Sequence, residues 1–164
     1  MNDVNALRNA MYHTNRTMAK LRDALDAKLK GGEIKASDIT GPIASTIRDT
    51  EIYFLDLEDG HAGFYNPVEN IIVINRNLTE AEQIMTFVHE SRHVYQHQIG
   101  YMKDSYYELE DKALYFLCPS EIDARNHEMY ITNLHVNAVT IQDLEKCKPP
   151  VHLIERYFGE YIEF

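Results

Sequence analysis

Apolar residues recur at helical spacing over the first part of the chain. Between about residues 4 and 30 they stand three, four and seven places apart among charged side chains. This spacing collects them on one face of an α-helix. The pattern predicts a long amphipathic helix that ends at Gly31 and Gly32, because glycine commonly follows the last helical turn.

A shorter period marks the middle of the chain. Runs rich in β-branched and aromatic residues cover about residues 52–57, 62–65 and 71–75, and turn-forming residues separate them. We expect a small antiparallel sheet of about three strands. The last run is apolar on both faces, so it should be covered on both sides. A short helix over about residues 39–48 is predicted before the sheet.

Helical spacing returns after the strands. Thr79 followed by Glu82 is a capping box, which predicts a helix from about Glu80 to about Ile99 that stops at Gly100. Its apolar stripe is expected to carry Tyr95 into the core. Further helices are predicted over about residues 104–116, over 121–134 with Ser120 as the cap, and over 140–146 and 151–161. The predicted fold class is α+β, mostly helical, with the sheet preceding the central helix.

Composition limits the classes of protein that fit this pattern. A chain of 164 residues with 45% apolar content fits a single domain over 1–164, with the helices at about 4–30 and 140–162 as scaffold. The formal charge of −10 argues against nucleic-acid and anionic-membrane partners. Two cysteines, no signal-peptide pattern and no long apolar run favour a soluble cytoplasmic protein.

The third helix carries the spacing H-E-x-x-H. His89 and His93 lie four residues apart, so their imidazoles project from nearly the same face, one turn apart, as two ligands of one cation require. Glu90 lies beside them on the helical wheel, where a carboxylate could take a proton from water. The motif predicts a metal site with two histidine ligands and an adjacent general base.

A catalytic zinc site usually has three protein ligands, so one more is needed. The best candidate is Glu121, in the first turn of a later helix that can fold back antiparallel, with Asp123 as the next choice. Ala124, one turn after Glu121, would let the two helices approach closely. Glu121 could instead be a favourable acidic residue at a helix N-terminus.

These motifs resemble those of the zincin metallopeptidases. Among zincins the chain resembles the gluzincins, and in particular the compact bacterial and phage-type members related to the ImmA/IrrE peptidases, over about residues 52–135. The resemblance implies His89, His93 and Glu121 as Zn2+ ligands and Glu90 as general base. It also implies that a strand within residues 60–75 pairs with a peptide or protein substrate.

Other polar residues have weaker positions in the pattern. His97 falls on the metal face but two turns from His89, which makes it a residue of the cleft wall, a second-shell group or a surface residue rather than a ligand. Arg92 could orient Asp123, or form an ordinary surface ion pair. The larger gluzincins use a separate histidine or tyrosine to stabilise the oxyanion. The candidates for that role here are His127, Tyr130 and Tyr157.

Three functional hypotheses follow from the sequence. The first is a zinc metallopeptidase that hydrolyses peptide bonds with a zinc-activated water and Glu90 as the base. The second is a catalytically inactive zincin-fold protein that binds metal. The third is an acidic helical module for protein interaction in which the motif arose by chance. Substrate specificity and oligomeric state are not predicted.

Overall fold

The computed structural model describes residues 3–58, 60–101 and 111–159. These residues form seven helices and three strands. The helices are α1 (Asp3–Lys30), α2 (Ala36–Ala44), α3 (Glu80–Gln98), α4 (Lys112–Leu117), α5 (Pro119–Val136), α6 (Ile141–Glu145) and α7 (Val151–Phe158), and the strands are β1 (Glu51–Leu55), β2 (Gly63–Asn66) and β3 (Ile71–Asn75). The α+β, mostly helical fold class is confirmed.

The first helix follows its predicted bounds closely. Its buried positions, among them Leu21 and Leu25, recur at helical spacing and pack against α3 and α5. After Lys30 the chain turns at Gly32, which has a φ of +74° that a residue with a side chain rarely adopts. The amphipathic pattern thus makes α1 one wall of the helical core.

The sheet is mixed, so the prediction of a purely antiparallel sheet is wrong. The strand order is β1-β3-β2, with β2 antiparallel and β1 parallel to β3. The central strand is the one that is apolar on both faces: Ile72, Val73 and Ile74 are each at most 2% exposed. Because β3 takes the central position, β1 pairs with it rather than with β2, and the chain crosses over to make that pair parallel.

One face of the sheet packs against α3. Tyr65, Ile72 and Ile74 lie on that face and form a buried cluster with Phe87 and Val94 of the helix. At the edges of the sheet, β1 is exposed at all five residues and β2 borders the side of α3 that carries the histidines. The sheet therefore supports one flank of α3 and brings β2 beside the candidate site.

The capping box sets the start of α3 as predicted. The Thr79 hydroxyl accepts a hydrogen bond from the Glu82 backbone N–H at 3.2 Å, and the Glu82 carboxylate contacts the Thr79 backbone N–H at 3.4 Å. The helix ends near Gly100, whose φ is +76°. The expectation that Tyr95 is a core residue is wrong. Its ring is 41% exposed and carries the Arg92 guanidinium 4.5 Å above it.

The bounds of three helices differ from the predictions. α2 spans Ala36–Ala44 rather than 39–48, because Asp38 accepts a hydrogen bond from the Lys35 backbone N–H and starts the helix earlier. α5 starts at Pro119, so Ser120 lies inside the helix and is not its cap. Of the helix predicted over 104–116, residues 104–110 lie outside the described part of the chain, and the rest belongs to α4.

The C-terminal helices lie near their predicted positions. Thr140 caps α6 by accepting a hydrogen bond from the Asp143 backbone N–H. α7 ends at Phe158 rather than at residue 161, because Gly159 follows it with a φ of +79°. None of the helices in the described ranges is long and apolar enough to cross a membrane. The main contacts of the fold join α3 to α5, with α1 packed against both.

Candidate metal centre

The two motif histidines face the same carboxylate. His89 and His93 lie one turn apart on α3, with ring centroids 5.1 Å apart. Nε2 of His89 is 3.1 Å from Glu121 Oε2, and Nε2 of His93 is 2.9 Å from Glu121 Oε1. The structure therefore brings together the three residues that the sequence predicted as metal ligands.

Helix packing positions Glu121. The residue lies in the first turn of α5 and is 4% exposed, and Ala124, one turn later, is fully buried against neighbouring helices. The small side chain permits the close approach of α3 and α5 that the sequence predicted. Burial alone would raise the pKa of Glu121. The charges of His93 and His89 and their hydrogen bonds outweigh burial and hold that pKa well below its usual value.

The spacing of these donor atoms fits a small divalent cation. Zinc bonds of about 2.0–2.1 Å in tetrahedral geometry keep neighbouring donor atoms about 3.3 Å apart. The nitrogen–oxygen separations between the two histidines and Glu121 range from 2.9 to 3.3 Å. Two imidazoles and a carboxylate are also a donor set that zinc accepts. In the metal-free protein, imidazole–carboxylate hydrogen bonds span these separations. A cation could replace the shared protons without a large movement of the three side chains.

Glu90 lies beside the histidines with an uncommitted carboxylate. Its oxygen and the ring nitrogens of His89 and His93 all lie within 4.8 Å of one another, so this group could hold a metal ion. The side chain is 7% exposed. Within the described ranges its carboxylate has no hydrogen-bond partner. Burial raises the pKa of Glu90, and the histidine charges only partly oppose that rise.

Each histidine has a second partner on its other ring nitrogen. Nδ1 of His89 is 2.9 Å from a carboxylate oxygen of Glu128, and Nδ1 of His93 is 2.8 Å from the amide oxygen of Gln96. These contacts fix the imidazole planes and leave both Nε2 atoms directed at Glu121. Neither Glu128 nor Gln96 was predicted from the sequence to belong to the site. Their positions, three residues after His93 and seven after Glu121, are the only local signal that could have indicated them.

An ion pair joins α3 to α5 near the candidate metal centre. Arg92 Nε and Nη2 donate to the two carboxylate oxygens of Asp123, at 2.8 and 3.2 Å. The Gln96 amide also donates to Asp123 and to the Ser120 carbonyl, both at 2.8 Å. The side chains of Arg92 and Asp123 are only 21% and 12% exposed. The pair is thus a mostly buried bidentate contact that supports Gln96, rather than an ordinary surface ion pair.

The remaining predicted residues lie away from the centre. His97 is exposed and packs edge-on against the Tyr65 ring, with the ring centroids 6.1 Å apart. His127 lies close enough to Arg92 for burial and the Arg92 charge to lower its pKa. Tyr130 and Tyr157 are 57% and 55% exposed. None of these four side chains lines the cavity described next.

A cavity of about 560 Å³ opens beside the histidines. Its lining comes from α1, from the chain before and within β2, from α3, α4 and α5: Met18, Gly60, His61, Ala62, Gly63, Thr86, His89, Glu90, Tyr115, Glu121, Arg125 and Glu128. We call this cavity the metal cleft. It adjoins a second cavity of about 330 Å³, with which it shares Met18, Ala62, Thr86 and Glu128. An extended ligand could therefore continue from one into the other.

Two polar residues of the metal cleft were not predicted. Burial, and after it the charge of the nearby Glu121, raises the pKa of Tyr115 far above its ordinary value. Arg125 lies one turn after Glu121 on α5. Neither residue belongs to a local sequence pattern, since both reach the cleft through the packing of α4 and α5.

Comparison with known proteins gives a family and no individual relative. No curated protein and no solved structure gives a significant match. A family model described as "Putative metallopeptidase family (DUF6782)" matches residues 2–132, which run from α1 into α5 and include the four residues His89, Glu90, His93 and Glu121. The match covers most of the chain, which therefore belongs to this metallopeptidase family.

Proposed function

We propose that this protein is a zinc-dependent metallopeptidase of the compact gluzincin type that hydrolyses peptide bonds. In this proposal His89, His93 and Glu121 hold the zinc ion and Glu90 is the general base. One observation carries it: the Glu121 carboxylate of α5 contacts Nε2 of both motif histidines, while Glu90 beside them has an uncommitted carboxylate. A glutamate as third ligand is the feature that favours the gluzincin type, to which the ImmA/IrrE-like peptidases belong.

The side chains of the centre divide the chemistry among them. A bound zinc ion supplies Lewis acidity, which makes a carbonyl carbon more electrophilic and water more acidic. Glu90 accepts the proton of the attacking water and later passes it to the leaving amine. Its position beside both histidines, with a carboxylate that no hydrogen bond engages in the described ranges, suits both steps.

Tyr115 is the candidate for stabilising negative charge on the substrate. A tyrosine hydroxyl is protonated at neutral pH, and the raised pKa of Tyr115 means that nearby groups do not alter this, so the hydroxyl can donate a hydrogen bond. Tyr115 lines the metal cleft together with Glu121, so its hydroxyl is near the centre itself. Tyr115 replaces the earlier candidates His127, Tyr130 and Tyr157, none of which lines the metal cleft.

The peptide substrate is proposed to pair with β2. This strand is at the edge of the sheet, and Gly63 together with residues 60–62 lines the metal cleft. The backbone groups on the outer side of an edge strand can pair with an extended peptide. Such pairing would lay the substrate along the cleft, and it lies within the range of residues 60–75 expected from the sequence.

Metal analysis and one substitution test this function. Protein purified without chelators is expected to carry one zinc ion per chain and to cleave members of a randomised peptide library, as read by mass spectrometry. Glu90→Gln should retain the zinc and lose at least about a hundredfold in rate, because a general base contributes about that much or more. Glu80→Gln, the same change at an exposed position of α3, is the matched control and should cleave normally.

The possible results separate the three hypotheses. Zinc without cleavage of any peptide would favour an inactive metal-binding protein. A preparation with no zinc and no rise in melting temperature on adding zinc would overturn both metal-binding hypotheses and leave an interaction module. Full activity in Glu90→Gln would remove Glu90 as the base.

A further inference from the structure

Arg125 is held rigidly in the wall of the metal cleft. Its guanidinium carbon lies 4.1 Å from the centroid of the Phe116 ring, and one of its terminal nitrogens donates to the Phe116 carbonyl at 2.7 Å. Stacking on an aromatic face and a backbone hydrogen bond fix the plane of the guanidinium group. The backbone hydrogen bond uses only one of its nitrogens, and Arg125 lines the metal cleft.

This cation has no carboxylate partner in the part of the chain described by the structure. No carboxylate oxygen there lies within 4.0 Å of its nitrogens. Arg92, in contrast, pairs with both oxygens of Asp123 between α3 and α5. A mostly buried charge without a partner is unfavourable, and proteins normally pair such a group.

The nearest acidic residues already contact other groups. Glu121 and Glu128 are close enough for their charges to act on Arg125, but their oxygens contact the nitrogens of His89 and His93. Once Glu121 holds a cation it can offset still less of the Arg125 charge. The Arg125 guanidinium group is thus a fixed cation in the wall of the cleft, and an anionic group of a ligand can bind to it.

We propose that Arg125 binds a carboxylate group of the peptide that occupies the metal cleft. A guanidinium group presents parallel N–H donors whose spacing matches the two oxygens of a carboxylate. Because stacking already fixes the plane, little side-chain freedom is lost when the carboxylate binds. The inference rests on the proposed peptidase function and adds a substrate class: peptides that carry a carboxylate near the bond to be cut.

Such a carboxylate has two sources in a peptide. It is either the free C-terminus or the side chain of an aspartate or glutamate. The first source would limit cleavage to bonds near the C-terminus, and the second would allow cleavage within a chain beside an acidic residue. Arg125 offers the same donors to both.

Peptide selection on the zinc-loaded Glu90→Gln protein tests this inference. Two randomised libraries, one with free and one with amidated C-termini, are passed over immobilised protein and the retained peptides are sequenced. We expect the retained peptides to share a carboxylate. Enrichment only in the free library identifies the C-terminus as its source, and enrichment of acidic residues in both identifies the side chain.

Substitution of Arg125 is the decisive comparison. Arg125→Met should weaken the binding of selected peptides about tenfold or more, as expected for the loss of hydrogen bonds to a charged group. Arg125→Lys keeps the charge without the planar group and should restore part of the affinity. Arg8→Met, at an exposed position of α1 that lines neither cavity, is the matched control and should bind normally. Melting curves establish that each variant is folded.

Several results would overturn the inference. These are retained peptides without a shared carboxylate, unchanged binding in Arg125→Met, and loss of binding in both arginine variants. Arg125→Met in the protein that retains Glu90 could instead cleave free and amidated peptides more slowly by the same factor, with binding unchanged. That result would assign Arg125 to stabilising the oxyanion. Cleavage by the unsubstituted protein without any preference for a carboxylate sinks this inference alone. A protein with neither zinc nor cleavage sinks the proposed function.

Discussion

At the scale of single residues, three glutamates of one cleft have three different surroundings. Glu121 contacts two imidazoles, Glu128 contacts the outer nitrogen of His89, and Glu90 is buried with no partner in the described ranges. The environment therefore assigns each carboxylate a separate role. Burial and the histidine charges act on both Glu121 and Glu90, but their balance lowers the pKa of Glu121 and raises that of Glu90.

Replacing Glu128 should weaken metal binding without removing a ligand. In Glu128→Gln the amide oxygen can still accept the His89 N–H, but its negative charge is lost, so His89 becomes a poorer donor. We expect the zinc dissociation constant to rise about 10- to 100-fold, as for other partners of ligating histidines. Competition with a fluorescent chelator measures it. Glu80→Gln, at an exposed position of α3, is the control, and equal affinity in both variants would contradict the assignment.

The residues of the proposed metal centre stand in recognisable sequence patterns, whereas most of their neighbours in the cleft do not. His89, Glu90 and His93 form a local motif on one helix, and Glu121 followed by Ala124 begins another. Tyr115, Arg125 and Glu128 reach the cleft only through the packing of α4 and α5 on α3. No spacing within a single element specifies which face of one helix meets another.

At the scale of elements, Gly63 sets how closely β2 approaches its neighbours. A Cβ atom built at this position would lie 2.5 Å from the Val73 carbonyl oxygen and 2.8 Å from the Thr86 methyl group. The first contact is with backbone that belongs to the central strand and cannot easily move. The absence of a side chain therefore keeps β2 against both β3 and α3, beside the metal cleft.

Gly63→Ala should separate these elements. Overpacking of this kind typically costs about 1–3 kcal/mol, so we expect a lower free energy of unfolding in urea and a lower cleavage rate. Gly41→Ala is the matched control. That glycine is inside α2 with nothing within 4 Å of its Cβ position, and the change should leave stability equal or up to about 1 kcal/mol higher. Equal effects of the two changes would exclude close approach as the cause.

Element positions followed from local patterns, but strand order did not. The capping box at Thr79 predicted where α3 starts, and the apolar run predicted β3. The parallel pairing of β1 with β3 depends on which strand the whole fold buries most completely. The apolar run of β3 indicates that this strand is buried. It does not indicate which edge of β3 pairs with β1.

At the scale of the whole molecule, the metal-free protein depends on pairs that pH can break. Burial alone would lower the pKa of His89, but Glu121 and Glu128 outweigh it and raise that pKa well above 6.5. The stabilisation from this raised pKa is fully present below 6.5 and is lost as the pH rises through the raised value. The lowered pKa of Glu121 has the opposite sense: its stabilisation is present above 4.5 and is lost as the pH falls through the lowered value.

The melting temperature of the metal-free protein should therefore be highest between about pH 4.5 and 6.5. It should fall as the pH rises above that range, because His89 loses the proton that joins it to the carboxylates. Scanning fluorimetry in the presence of a chelator measures this. Zinc should remove most of the fall, and Glu121→Gln should reduce it. A metal-free melting temperature that rises with pH over this interval would contradict the expectation.

The donors and their supporting partners come almost wholly from the α3–α5 pair. The sheet edge and α1 border the same cleft without contributing a ligand. The proposed chemistry and the walls of the cleft thus lie on largely separate parts of the chain. Substitutions in α1 or before β2 could redirect the protein to new substrates while the metal-binding donors stay untouched.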